Sequence, residues 1–147
     1  MIEDGDGPGN TCIHSAVVHS WHLDQFGHMN VRWYAHFFDD ALWLLWDVLG
    51  LDQNRLQSDH ACHTVTAKST TTFLRECLDG DLLRIEGGVS RIGGKSVSFQ
   101  LFARTSRTGD VHATCDVVEV FVEPETHVSK PIPDQVRERL AHHTTIE

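Results

Sequence analysis

The chain has 147 residues and a formal charge of −9, from 12 Lys and Arg against 21 Asp and Glu. This length predicts one domain, and a hydrophobic content of 40% argues against a disordered chain. The acidic balance argues against nucleic acid as a partner, because binding phosphates requires clustered Lys and Arg. The four cysteines form no CxxC pair, which argues against a zinc ribbon or a CxxC redox motif.

The N-terminal segment is acidic and rich in glycine, unlike a secretory signal peptide, which is basic and then apolar. We therefore predict a flexible tail at residues 1–12 and a single domain at residues 13–147. The longest apolar-rich run, residues 33–51, is interrupted by four polar side chains, so we predict no membrane span. Together these features lead us to expect a cytoplasmic protein with reduced thiols.

A long helix is the main element predicted in the first third of the chain. Residues 13–24 have extended character, and Asn30 is a favourable N-cap residue for the helix that follows. The helix is expected to end at Leu49, with Gly50 as its C-terminal stop. Apolar residues occupy most of its circumference, which predicts that other elements cover it on most sides.

Four strands separated by turn sequences are predicted after this helix. Gly93-Gly94 is typical of a two-residue hairpin turn, and the strand after it alternates apolar and polar residues. Hairpin-joined strands are antiparallel, so the order predicts an α+β fold in which one curved sheet covers the long helix. The predicted strands and the short terminal helix are residues 63–74, 82–92, 96–104, 111–122 and 134–142.

The segment just before the long helix carries the residues most suited to catalysis. Asp24 lies a few residues upstream of the helix, and Gly27 and His28 lie between them. The unpaired amides of a helix N-terminus can stabilise an oxyanion on an attacked carbonyl, and a nearby carboxylate can act as base or nucleophile. This combination suits acyl transfer or hydrolysis. From spacing alone, however, an Asp before a helix is more often a structural cap.

The pattern Asp24-x-x-Gly27-His28-x-Asn30-x-x-x-Tyr34 resembles the signature of hotdog-fold acyl-CoA thioesterases of the 4-hydroxybenzoyl-CoA thioesterase type, in the branch that carries GHxN. The order of elements in residues 13–122 is also similar to that family. The resemblance implies a hotdog fold and hydrolysis of an acyl-CoA thioester to free acid and CoA. The branch named for 4-hydroxybenzoyl-CoA lacks this His, so the resemblance does not extend to that substrate.

The resemblance also implies roles for individual residues. Asp24 would act as general base or nucleophile, and amides near Val31 would polarise the thioester carbonyl. His28 would orient Asp24, bind substrate or only pack in the turn, whereas Tyr34 suits a pocket wall. The site-shaping or substrate-orienting group is Gly27, His28, Asn30, Val31 and Tyr34.

A weaker part of the resemblance is the segment containing Arg91, Lys95 and Ser96, which would contact the phosphates of CoA. A solvated hairpin is the alternative interpretation of these residues. Members of the family form dimers or tetramers with sites at the subunit boundary, so a homodimer or homotetramer is expected. No separate cofactor is expected, because CoA is part of the substrate, and the 11 His residues form no metal-binding motif.

Two other functions remain open at this point. A hotdog hydratase or dehydratase would act on acyl thioesters without releasing CoA. A non-catalytic acyl-CoA-binding hotdog protein would use Asp24 only as a cap. In the stretch Ser69–Thr72, alternate hydroxyls face one side of a strand, and the sequence does not select which of them lies near the thioester.

Overall fold

The computed structural model describes residues 11–144 of the chain. Residues 1–10 of the predicted tail lie outside this range. The prediction placed Thr11 and Cys12 in the tail as well, but the first strand begins at Thr11 and includes both residues. The elements are β1 Thr11–Val17, α1 Val31–Val48, α2 Gln53–His60, β2 His63–Phe73, β3 Leu82–Ile92, β4 Ser96–Thr105, β5 Val111–Val122 and α3 Asp134–Ala141.

The five strands form one antiparallel sheet in the order β1-β3-β4-β5-β2. Side chains of α1 and of the sheet's inner face form one hydrophobic core, which includes Trp46 against Phe99 and Phe121. The predicted α+β arrangement of a long helix on an antiparallel sheet is confirmed. In the described part of the chain, no helix has the length and hydrophobicity needed to cross a bilayer.

Both ends of α1 follow from its sequence. The side chain of Asn30 accepts a hydrogen bond from Arg32 N at 3.1 Å, which confirms the predicted N-cap. At the other end, Gly50 adopts a left-handed φ of 73° and its N–H bonds to Asp47 O, while Leu51 N bonds to Trp46 O. These two bonds form a Schellman motif, in which a residue with positive φ satisfies the last carbonyls of the helix.

Three local features differ from the prediction. A 3-10 turn at Ser20–His22 interrupts the expected extended segment, because the ring of His22 accepts a hydrogen bond from His19 N at 2.9 Å. Helix α2 was not predicted, since Leu56 is its single buried residue and it therefore lacks an apolar stripe. The β3–β4 hairpin turns at residues 94–95 instead of 93–94, where Gly93 N bonds to Ser96 O at 2.7 Å.

Candidate active site

Asp24 lies in a tight loop between the 3-10 turn and α1. Its Oδ1 atom accepts hydrogen bonds from Phe26 N at 2.8 Å and His28 N at 3.2 Å. The backbone closes the same loop, with Asp24 N bonded to His28 O at 2.8 Å. Within residues 11–144, no hydrogen bond to Oδ2 is found. One carboxylate oxygen therefore holds the loop, and the other is available to a ligand.

Gly27 makes this loop possible by its conformation. Its φ is 81°, in the left-handed region that side chains with a Cβ rarely adopt. A Cβ built at this position would meet no atom within 4 Å, so the loop requires glycine for its backbone and not for close packing.

The start of α1 offers one backbone donor beside this loop. Arg32 N is bonded to the side chain of Asn30, and Trp33 N is bonded to the carbonyl of Asn30 at 3.0 Å. No hydrogen bond from Val31 N is found in the described range. Val31 is an exposed residue and the first of the helix, so its N–H lies at the positive end of the helix dipole.

His28 is directed away from the carboxylate of Asp24. Its Nε2 atom pairs with Glu76 at 3.0 Å, and only its backbone N–H contacts Asp24. The partner Glu76 was not predicted as a site residue; it follows β2 closely, where the chain turns toward the start of α1. Among residues 11–144, no three His, Cys, Asp or Glu side chains are placed to share a metal ion.

Tyr34 forms part of a wall beside the helix start. It is buried, contacts Phe73 edge to face at a ring distance of 5.0 Å, and lines a cavity of about 230 Å³ together with His28 and Val31. Burial and its contact with the Cys77 thiol raise the pKa of its hydroxyl above the ordinary value. Tyr34 therefore stays neutral and suits a pocket wall better than a base.

Hydroxyl groups on β2 face the groove between this strand and α1. Thr64 and Thr66 share the inner face, and a bulge between Thr66 and Lys68 shifts the alternation by one residue. After the bulge, Ser69 and Thr71 take the inner face and contact the Cys115 sulfur. This bulge keeps the hydroxyl row continuous, and simple alternation along the sequence does not reveal it.

The groove beside the hydroxyl row has a volume of about 540 Å³. Arg32, His36 and Asp39 line it from α1, and Ser69 and Thr71 line it from β2. It starts next to the helix N-terminus and runs along the helix. The lining residues of α1 extend from Arg32 to Leu42, about 15 Å along the helix axis.

Arg91, Lys95 and Ser96 lie at the opposite end of the sheet from Asp24. The Asp24 loop is tied to the end of the sheet at which β3 begins, through the bond from Met29 N to Cys77 O. The 11 residues of β3 separate that end from the β3–β4 hairpin by about 33 Å. Arg91 and Lys95 are exposed. One protomer therefore does not bring these cations to Asp24.

Comparison with known proteins places the chain in a family. The family model described as "Thioesterase-like superfamily" matches residues 17–140. The chain belongs to the thioesterase-like superfamily. The expectation of a thioester hydrolase is thereby confirmed. The assignment of the chain to the GHxN branch of the 4-hydroxybenzoyl-CoA thioesterase type stays a prediction.

Individual relatives agree with this family. The chain is 25% identical over 124 residues to the long-chain acyl-CoA thioesterase FadM of Escherichia coli, covering 84% of this chain and 92% of FadM. A Staphylococcus aureus protein, SAV2348, solved in complex with CoA has a TM-score of 0.81 at 21% identity, with 97% and 92% of the two chains covered. The probable thioesterase YbaW of Escherichia coli has a TM-score of 0.76 at 23% identity, with 92% and 98% covered. These folds confirm the predicted hotdog architecture.

Proposed function

We propose that this thioesterase-like protein hydrolyses acyl-CoA thioesters to a free acid and CoA. The observation that carries the proposal is the half-buried Asp24 carboxylate, whose second oxygen makes no hydrogen bond within the described residues, in the loop that leads directly into α1, where the Val31 N–H makes none either. The similarity to FadM, named as a long-chain acyl-CoA thioesterase, and the fold shared with a protein solved with CoA support acyl-CoA as the substrate class.

The same geometry supports a simple reaction sequence. Oδ2 of Asp24 takes a proton from water while the water oxygen bonds to the thioester carbonyl carbon. The carbonyl oxygen then carries negative charge, which the Val31 N–H and the helix dipole stabilise. Collapse of this intermediate breaks the carbon–sulfur bond, and CoA leaves as a thiolate that takes up a proton. If Asp24 instead attacks the carbonyl carbon through Oδ2, the carbon–sulfur bond breaks and CoA leaves as a thiolate that takes up a proton. Water then hydrolyses the resulting anhydride to the free acid and the Asp24 carboxylate.

Binding of the CoA phosphates is proposed to need a second copy of the chain. β2 is an edge strand whose residues are mostly exposed, so its outer edge is open to pairing. In a two-fold dimer made by antiparallel pairing of β2 with its copy, opposite ends of the two sheets lie side by side. The partner's Arg91, Lys95 and Ser96 would then lie at the same end as Asp24, although one protomer holds these groups apart.

A thiol-release assay over short, branched, aromatic and long acyl-CoAs tests the function. We expect release of free CoA with a preferred acyl chain, and loss of release in Asp24→Asn. If CoA stays attached while an enoyl thioester forms, the protein is a hydratase or dehydratase. Saturable binding of every acyl-CoA without turnover would instead indicate a binding protein.

A mixing experiment tests the shared site. Asp24→Asn and the double variant Arg91→Glu, Lys95→Glu are each prepared as inactive homodimers, and the two are then unfolded and refolded together. If the site combines Asp24 of one subunit with cations of the other, about half of the refolded dimers are heterodimers, and each heterodimer regains one of its two sites. Activity should then recover to about a quarter of the wild-type value. If each chain builds its own site, mixing restores nothing.

A further inference from the structure

The cavity beside the start of α1 lies between this helix, the segment that precedes it and the end of β2. Its volume is about 230 Å³. Val31 and Tyr34 line it from α1, and Phe73 and Leu74 line it where β2 ends. The N–H of Val31 is the group proposed to stabilise the carbonyl oxygen of the thioester, so an acyl group attached to that carbonyl begins next to this space. We call it the proximal cavity.

Most of the wall of the proximal cavity is apolar. Met29 and Tyr34 are buried beside it, whereas Val31, Phe73 and Leu74 are exposed. Single exposed apolar residues are ordinary on a protein surface, but here three of them surround one small space. An apolar group that fills the cavity would remove part of their surface from water, which is favourable.

The charged side chains at the edge of the proximal cavity already have partners. His28 contacts Glu76 at 3.0 Å, and Arg75 forms an ion pair with Asp110 at 3.3 Å. These groups therefore do not require a charged acyl group. The groove that begins at Arg32 has charged and hydroxyl side chains on its walls, and covering them with an alkyl or aryl group costs their hydration. The proximal cavity is thus the more favourable place for an apolar acyl group.

The ring of Phe73 limits the size of the proximal cavity. It contacts the ring of Tyr34 edge to face, at a centroid distance of 5.0 Å. Tyr34 is 4% exposed and packed in the core, whereas Phe73 is 48% exposed at the end of its strand. A cavity of about 150 Å³ holds one benzene molecule. A cavity of about 230 Å³ therefore has room for one ring or a short branched chain, and not for a long straight chain.

We propose that the proximal cavity holds the acyl group and that Phe73 sets its size limit, so that the enzyme prefers compact acyl groups, branched or with one ring, to long straight chains. This inference rests on the proposed acyl-CoA thioesterase function, because it places the thioester carbonyl at the Val31 N–H. The preference would distinguish this chain from FadM, which is named as a long-chain acyl-CoA thioesterase.

The test compares isovaleryl-CoA and phenylacetyl-CoA with octanoyl-CoA and dodecanoyl-CoA. We expect the wild-type protein to have a higher kcat/KM for the two compact substrates. Calorimetric binding of the same four compounds to Asp24→Asn measures the preference without turnover. Tighter binding of the compact compounds without hydrolysis by the wild-type protein would overturn the proposed function alone. Equal or tighter binding of the straight chains would overturn this inference, even if the wild-type protein hydrolyses them.

Two variants of Phe73 locate the size limit. Phe73→Ala enlarges the cavity and should raise the ratio of octanoyl to isovaleryl kcat/KM about tenfold, since small changes in the volume of an apolar pocket have effects of this size. Phe73→Trp fills the cavity and should lower the ratio of phenylacetyl to isovaleryl. Thermal unfolding shows whether each variant is folded, and Phe73→Leu provides a smaller truncation if Phe73→Ala is not.

Phe102→Ala is the matched control. Phe102 lies on β4 between the buried Leu101 and Ala103, so its side chain is on the other face of the sheet, away from the proximal cavity. This variant should keep the wild-type ratios. If the folded Phe73 variants also keep them, or if Phe102→Ala shifts them equally, Phe73 does not set the size limit and the proposal fails.

Discussion

The Oδ1 atom of Asp24 accepts a hydrogen bond from His28 N at 3.2 Å, so the carboxylate proposed to act in hydrolysis also holds the loop before α1 together. Phe26 N adds a second bond to the same oxygen. The sequence left two interpretations of Asp24 open, a structural cap and a catalytic group. The geometry allows both at once, because one oxygen serves the loop and the other is unoccupied.

Because one oxygen of Asp24 holds the loop and the other is unoccupied, two Asp24 variants should differ in their effect on stability. Asn keeps an oxygen for the two amides but cannot act as a base, so Asp24→Asn should lose activity by about 10²–10⁴-fold with little change in unfolding temperature. Asp24→Ala should lose activity equally and also loosen the loop. Thiol release and thermal unfolding measure the two effects. Full turnover in either variant would remove Asp24 from the mechanism.

Asn30 is the N-cap of α1, so the order of the first helical turn should depend on its side chain. Asn30→Ala removes the bond to Arg32 N and should destabilise the fold by about 1 kcal/mol, measured by urea unfolding. The same variant should lower kcat, because a frayed first turn no longer fixes the Val31 amide. Asn30→Ser restores a capping oxygen and serves as the matched control. If Asn30→Ser loses as much stability as Asn30→Ala, the capping role of Asn30 is contradicted.

We expect Gly27 to be required for its backbone conformation and not for close packing. Gly27→Ala places a Cβ on a residue with φ of 81° in open space, and should cost about 1–2 kcal/mol of unfolding free energy. Gly94→Ala also adds a Cβ in open space, but without a left-handed φ, and should be close to neutral. Similar costs in both variants would show that conformation is not what requires Gly27.

The buried Glu119 should make stability depend on pH. Burial raises the pKa of its carboxyl group, although hydrogen bonds from Thr66 and Thr64 oppose the shift. Between the ordinary and the raised pKa, the folded protein keeps a proton that the unfolded chain has lost. The contribution of Glu119 to the stability of the wild-type protein therefore falls as pH rises through that window.

Glu119→Gln removes this titration, so its stability relative to wild type should increase with pH across the window and then level off. Urea unfolding at a series of pH values measures the difference. The exposed Glu125→Gln provides the control and should show no such trend. A difference between Glu119→Gln and wild type that does not change with pH would contradict the raised pKa.

Local patterns in the sequence were sufficient for most of the fold. The N-cap at Asn30 and the stop at Gly50 determined the bounds of α1, because both depend on residues adjacent to the helix ends. Helix α2 was missed, since Leu56 alone carries its buried face and its other contacts come from distant parts of the chain. The bulge between Thr66 and Lys68 was missed for the same reason, because strand register is set by pairing with β5.

The sequence by itself determined the hotdog element order and the segment from Asp24 to Tyr34, because the candidate site loop and the helix start that follows it are local in the chain. Only the tertiary structure decided the distances between segments. It separated Asp24 from Arg91 and Lys95, since β3 runs the length of the sheet between them. It also brought Met29, Tyr34 and Phe73 around one cavity. These three residues lie on separate segments of the chain, and only the packing of α1 against the sheet makes them neighbours.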